Sequence, residues 1–205
     1  MSLFDDSYKT IVHPTEGFFK DRGSKFLAFA YPVETEEQVK EHLAALRKEY
    51  YDARHHCYSY ILGPDKSAYR INDDGEPSGS AGKPIHGQLL SYDLTNILVV
   101  VIRYFGGTKL GIPGLINAYR EATRDALDKA EIITKTINEY FEIEYEYPLM
   151  GNVMRIIKDE NLEQINTRFE LNCRIELRVR KNEYQRIADE FGKIHGVKLK
   201  HLRTK

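Results

Sequence analysis

Six consecutive aliphatic residues, Ile97 to Ile102, make the longest unbroken apolar run in the chain. A bilayer needs about 20 apolar residues, so this run does not span one. Its β-branched composition predicts a strand over Asn96 to Arg103. No polar residue alternates within it, which predicts apolar layers over both of its faces. The fold must therefore place elements on either side of one central strand.

The surrounding sequence supplies them. Lys25 to Val33 reads as a strand after the turn signal Gly23-Ser24. Thr35 and Gln38 form a capping-box pattern, and Val39, Leu43, Leu46 and Tyr50 recur at helical spacing behind it. Arg54 to Leu62 and Ser67 to Asn72 read as a strand pair across Gly63-Pro64-Asp65. Pro84 to Tyr92 predicts a short helix. Another helix follows Gly114, with Leu115, Ala118, Tyr119, Ala122 and Ala126 on one stripe.

The second half has a different rhythm. Ile137 to Tyr147 alternates, with Phe141, Ile143, Tyr145 and Tyr147 on one face and Glu142, Glu144 and Glu146 on the other. Met150, Val153, Met154 and Ile157 follow at helical spacing behind Pro148. Strands are expected at Gln164 to Phe169, Leu171 to Val179 and Val197 to Leu202. Between the last two lies a helix capped by Asn182 and ended by Gly196. The order β-α-β-β-α-β is the ferredoxin-like pattern. The chain is thus expected to be α+β with two domains, residues 1–134 and 135–205, and a boundary near Ile132 to Thr136.

Composition narrows the function classes. With 30 basic and 31 acidic residues the formal charge is -1, so a nucleic-acid surface would have to be a local patch. Two distant cysteines, Cys57 and Cys173, argue against a disulfide framework or a Cys-rich zinc site. The opening MSLFDDSYKT has early acids and no apolar core, unlike a signal peptide. A cytoplasmic protein without membrane contact is expected.

The strings DDGEPSGSAGKPI (Asp73 to Ile85) and VVVIRYFGGTKLGIPGLINAYREA (Val99 to Ala122) resemble the signature of the YigZ/IMPACT family. The Lys25-Phe26 strand and the segment Ala53 to Tyr58 are similar to it as well. The resemblance covers about the first 130 residues, and the second half resembles the small C-terminal domain of bacterial members. It implies an N-terminal domain like domain four of elongation factor G and its ribosomal-protein relatives. It implies a C-terminal domain like that factor's ferredoxin-like domain five. It also implies a setting in translational control. Eukaryotic relatives work there by protein–protein binding, and bacterial members are associated with nucleic acid or the ribosome. The resemblance brings no catalytic residue.

Two Gly-rich segments carry the candidate chemistry. Phe105 to Gly114, with Gly106, Gly107, Gly111 and Lys109, joins the central strand to a helix, where free N–H groups suit an anion. It is not a P-loop, since Ile112 stands where that motif requires Lys. The plainer reading is turn geometry and close packing. In Asp73 to Gly82, Pro77-Ser78-Gly79-Ser80-Ala81 is similar in part to the phosphate loop of GHMP kinases. Its acids Asp73, Asp74 and Glu76 suit either a divalent cation or the capping of turns. No metal or cofactor is assigned.

His55, His56 and Cys57 are consecutive. A strand turns His55 and Cys57 to one face, as a packed pair or as a base and a nucleophile. Arg70, Arg103 and Lys109 flank the Gly-rich segments. With Lys20, Arg22 and Lys25 they would form a basic patch, and Tyr58, Tyr104 and Tyr119 are candidates for base stacking. Arg174, Arg178 and Arg180 share a sheet face, but Glu142, Glu144 and Glu146 are expected to neutralise them.

The function expected is a non-enzymatic binding or regulatory factor linked to translation, contacting RNA, the ribosome or a translation-related protein. Two alternatives stand beside it: an enzyme acting on a phosphorylated or nucleotide-like small molecule at the Gly-rich loops, and a pure protein-interaction module.

Overall fold

The structure, a computed structural model, describes residues 6–205. Met1 to Asp5, half of the opening stretch weighed against a signal peptide, lie outside them. The chain divides into two compact units, Tyr8–Lys135 and Thr136–Lys205, the second including Asp6 and Ser7.

The larger unit is built on a five-stranded antiparallel sheet in the order β2 (Thr15–Asp21), β3 (Ser24–Pro32), β6 (Ile97–Tyr104), β4 (His55–Leu62), β5 (Ala68–Asn72). A separate two-stranded sheet pairs β1 (Ser7–Ile11) with β7 (Ile132–Thr136). The aliphatic run is the middle strand, β6, and both of its faces are covered. Ile97, Val99 and Val101 pack with residues of α2 (Gly82–Ser91) and α3 (Gly111–Asp128). Leu98, Val100 and Ile102 pack on the other side with Val39 and Leu46 of α1 (Glu36–Glu49). All six are fully buried, and each burial favours the fold by roughly 1.5–3 kcal/mol.

Helix α1 starts where its capping box predicts. Thr35 Oγ1 accepts from Gln38 N at 3.3 Å, and Gln38 Oε1 accepts from Thr35 N at 3.3 Å. Helix α3 lies across edge strand β2, and Gly17 is what allows it. A Cβ there would stand 2.4 Å from Ala126 N and 2.5 Å from Ala122 O. The Asp125 carboxylate accepts from Phe18 N at 2.8 Å, so the helix also covers part of that edge.

Two helices of this unit begin earlier than expected. α2 opens at Gly82, ahead of Pro84, because the Asp73 carboxylate caps it from nine residues away. α3 opens at Gly111 rather than after Gly114. Pro113 falls in its first turn, where a missing N–H costs nothing.

The smaller unit is β8 (Asn138–Glu146), α4 (Met150–Asp159), β9 (Glu163–Arg168), β10 (Asn172–Arg180), α5 (Lys181–Gly192) and β11 (Lys198–Thr204), with strand order β11-β8-β10-β9. That is the ferredoxin-like arrangement. Phe141, Ile143 and Tyr145 join Cys173, Ile175, Leu177, Ile187 and Phe191 in its core. Tyr147 does not join them: the strand stops at Glu146, Tyr147–Leu149 form a 3₁₀ turn at Pro148, and Tyr147 is exposed. Asn182 lies inside α5 and is not its cap. The helix starts at Lys181, whose N–H bonds Ile137 O at 3.0 Å.

Ion pairs neutralise the sheet arginines, through more partners than the sequence suggested. Arg174 meets Glu144 at 2.9 Å, Arg178 meets Glu163, and Arg180 meets Asp6 at 2.9 Å. We propose that the smaller unit is an independent domain, since it has its own closed core. Residues 136–205 expressed alone are expected to unfold cooperatively in urea with native-like strand content. A gradual, non-cooperative loss of signal would refute this.

Candidate functional site

The segment Asp73 to Gly82 is organised by its acids. Asp73 accepts from Gly79 N at 2.8 Å, Ala81 N at 3.1 Å and Gly82 N at 2.8 Å, folding the loop onto the start of α2. Asp74 accepts from His56 N at 2.7 Å and meets Arg47 of α1 at 3.3 Å. Glu76 is buried and takes Arg103 at 2.7 and 3.0 Å. Its Oε1 also accepts from the Tyr119 hydroxyl at 2.7 Å. Each acid is thus occupied by the protein itself. Among the described residues no cluster of acids, histidines or cysteines is arranged to hold a metal ion.

Cys57 lies beneath this layer, fully buried. Its thiol donates to Asp73 O at 3.0 Å and to the Tyr119 hydroxyl at 3.3 Å. Burial pushes both the Cys57 thiol and the Tyr119 hydroxyl far above their ordinary ranges. His55 is tied through Nδ1 to Asp74 O at 2.9 Å. His56 is buried, and burial lowers its pKa against the opposing pull of Asp74. The thiol is therefore a packed core group, and this cluster supplies no thiolate nucleophile.

The two Gly-rich segments meet at the end of the sheet. Glu76 and Pro77 from one, and Phe105, Lys109, Leu110, Gly111 and Ile112 from the other, line a single open cleft of about 920 Å³. Asp52, Arg54, His55, Arg103 and Tyr104 line it as well. Its floor is the Arg103–Glu76 pair. The Arg103 guanidinium lies 5.7 Å from the ring centres of both Phe26 and Phe105. The wall holds the first turn of α3, which has no side-chain cap and no acid. Tyr104 donates to Asp52 at 2.7 Å, and that bond, with burial, pushes its hydroxyl up to about 12.

Of the residues singled out from sequence, His55, Glu76, Arg103, Tyr104, Lys109 and Gly111 line the cleft. Gly106 and Gly107 shape its second loop. Ser80 is buried with its hydroxyl donating to Pro77 O at 2.6 Å, while Ser78 and Gly79 lie on the outer turn. Arg70 is elsewhere. It stands directly opposite Tyr60, whose side chain belongs to the α1-side core, so it projects from the other face of the sheet. Tyr58 and Tyr119 are core residues and offer no ring for stacking. Arg103 is ion-paired and almost buried, so it does not act as a free cation. Arg54, Phe105 and Ile112, which the sequence reading did not single out as site residues, are exposed on the cleft. Arg54 was signalled only by its position beside His55.

The family model described as the Impact N-terminal domain matches residues 22–127, which contain every residue lining the cleft. The chain belongs to the IMPACT family. The IMPACT family member YigZ of Escherichia coli is 33% identical over 72% of this chain and 73% of its own length. The IMPACT family member YvyE of Bacillus subtilis is 29% identical over 86% and 82%. A crystal structure described as a hypothetical protein superposes with a TM-score of 0.72 at 25% identity, covering 98% of this chain and 99% of that one. Similarity to these IMPACT proteins therefore extends through both units. Among the described residues no helix is long and apolar enough to cross a membrane.

Proposed function

We propose that this IMPACT protein is a non-enzymatic cytoplasmic binding factor linked to translation, and that the cleft end of its larger unit contacts RNA. The observation that carries this reading is a set of unpaired cations. Lys20, Arg22, Lys25, Arg54 and Lys109 are exposed, and none makes an ion pair among the described residues. They gather at one end of the sheet: Arg54 and Lys109 line the cleft, Gly23 touches Gly106 beside it, and Lys25 and Lys20 continue the row of the cleft-lining Tyr104 on the α1 face. Lys20 and Lys25 even stand directly opposite each other across β2 and β3. Like charges so placed repel, and a bound polyanion relieves that cost. The overall charge of -1 makes the cluster a local feature. The translational setting follows from the family resemblance. The enzyme alternative finds little support in the buried, proton-holding Cys57 and Tyr119.

The test is RNA and ribosome binding measured across salt concentration. Replacing Arg54 and Lys109 by Ala removes two phosphate contacts, and should flatten the log–log salt slope by about 1.4 units for a single strand. An unchanged slope in the folded double variant would reject RNA contact at this cleft. Nuclease-insensitive capture of a protein partner would then support the protein-interaction alternative.

A further inference from the structure

The cations say that the ligand is anionic, and the rings beside them say more. Phe105 is 60% exposed at the mouth of the cleft, with Ile112 at 53% on the opposing α3 turn. The Phe105 ring is steered by Arg103, whose guanidinium lies 5.7 Å from its centre. Tyr51 is 84% exposed, and its neighbour Asp52 is pinned to the end of β6 by the 2.7 Å bond from Tyr104. Phe105 therefore stands bare on the cleft beside the lining cations Arg54 and Lys109, and Tyr51 is bare next to the lining residue Asp52.

Resting on the RNA reading above, we infer that the cleft takes unpaired nucleotides of a single strand, with bases on Phe105 and Tyr51 and phosphates on the flanking cations. Sites for unpaired strands combine cations that hold the backbone with bare aromatic rings on which bases stack, and every base has a face to stack. A duplex does not fit this arrangement. In A-form RNA the base faces are hidden in the stack, so a protein meets only backbone and groove edges, which need no exposed ring in a concavity. The cleft volume, about 920 Å³, lies within the range of sites that enclose small ligands. Its lining mixes apolar side chains, Phe105, Leu110, Ile112 and Leu115, with the cations Arg54 and Lys109, which suits a base and a phosphate together.

The experiment uses the full chain and fluorescent homopolymer RNA strands, compared with a duplex of the same length by anisotropy. The single strands are expected to bind more tightly. Phe105→Ala should weaken their binding by roughly 5- to 150-fold, while Phe105→Trp keeps it. Tyr51→Ala should weaken it by a smaller factor. Neither substitution removes a charge, so the salt slope should stay at its original value, unlike that of the Arg54/Lys109 variant. If the duplex binds as well as the strand, or if Phe105→Ala and Tyr51→Ala leave affinity unchanged, the single-strand inference fails while the RNA reading survives. If the unmodified protein binds neither form and retains only a nuclease-resistant protein partner, both fail.

Discussion

Replacing Arg103 by Met is expected to destabilise the larger unit by about 3–5 kcal/mol. The reason is the charge it would strand. Glu76 is buried, with its carboxylate held by Arg103 at 2.7 and 3.0 Å and by the Tyr119 hydroxyl at 2.7 Å. Without the guanidinium, the Tyr119 hydroxyl is, among the described residues, the one protein group left facing a largely buried carboxylate at the cleft floor. The Met side chain fills similar volume between Phe26 and Phe105, so lost packing contributes little. Neutralising the partner separates the two causes. In Arg103→Met/Glu76→Gln no charge remains buried, and most of the loss should be recovered. Urea unfolding of the two single variants and the double variant gives the coupling energy directly. A single-variant loss below about 1 kcal/mol, or strict additivity, would show that the pair is not a structural unit.

This pair also marks the limit of what sequence reading reaches. The central strand was legible because six adjacent aliphatic residues permit few alternatives, and the structure buries them on both faces. The ferredoxin-like order was legible from period-two and period-3.6 patterns in Phe141 to Tyr145 and Val153 to Ile157. The Gly-rich segments were legible from their turn residues, though not the helix start within Phe105 to Gly114. Side-chain partners at long range had no local signal. Glu76 and Arg103 are 27 residues apart, and nothing near either announces the other. Arg70 and Arg103 look alike in sequence. The register that sets Arg70 opposite Tyr60 and Arg103 opposite His55 sends them to opposite faces of the sheet. Arg54 had no signal of its own because its place on the cleft depends on which loops surround the start of β4.

The substitution Gly106→Ala is expected to cost about 3 kcal/mol, the upper end of ordinary overpacking, and to disturb the cleft. A Cβ at Gly106 would stand 1.9 Å from Gly23 C and 2.1 Å from Ser24 N. Both are backbone atoms in the tight turn between β2 and β3, so no side chain can rotate away. The turn is fixed further by Gly23 at φ +82 and by the 3.1 Å bond from Gly106 N to Ser24 Oγ. The hairpin and the loop must therefore separate, carrying Arg22 and Phe105 apart. The adjacent Gly107 provides the control. Its φ is +89, but a Cβ there meets nothing within 4 Å, so Ala costs only the left-handed strain of about 1–2 kcal/mol. Denaturant unfolding should rank Gly106→Ala well below Gly107→Ala in stability. RNA affinity, measured where both variants are folded, should fall further for Gly106→Ala because only that change forces the loop that carries Phe105 away from the β2–β3 hairpin. Equal stabilities within about 0.5 kcal/mol would show that the hairpin and the loop do not meet as closely in solution.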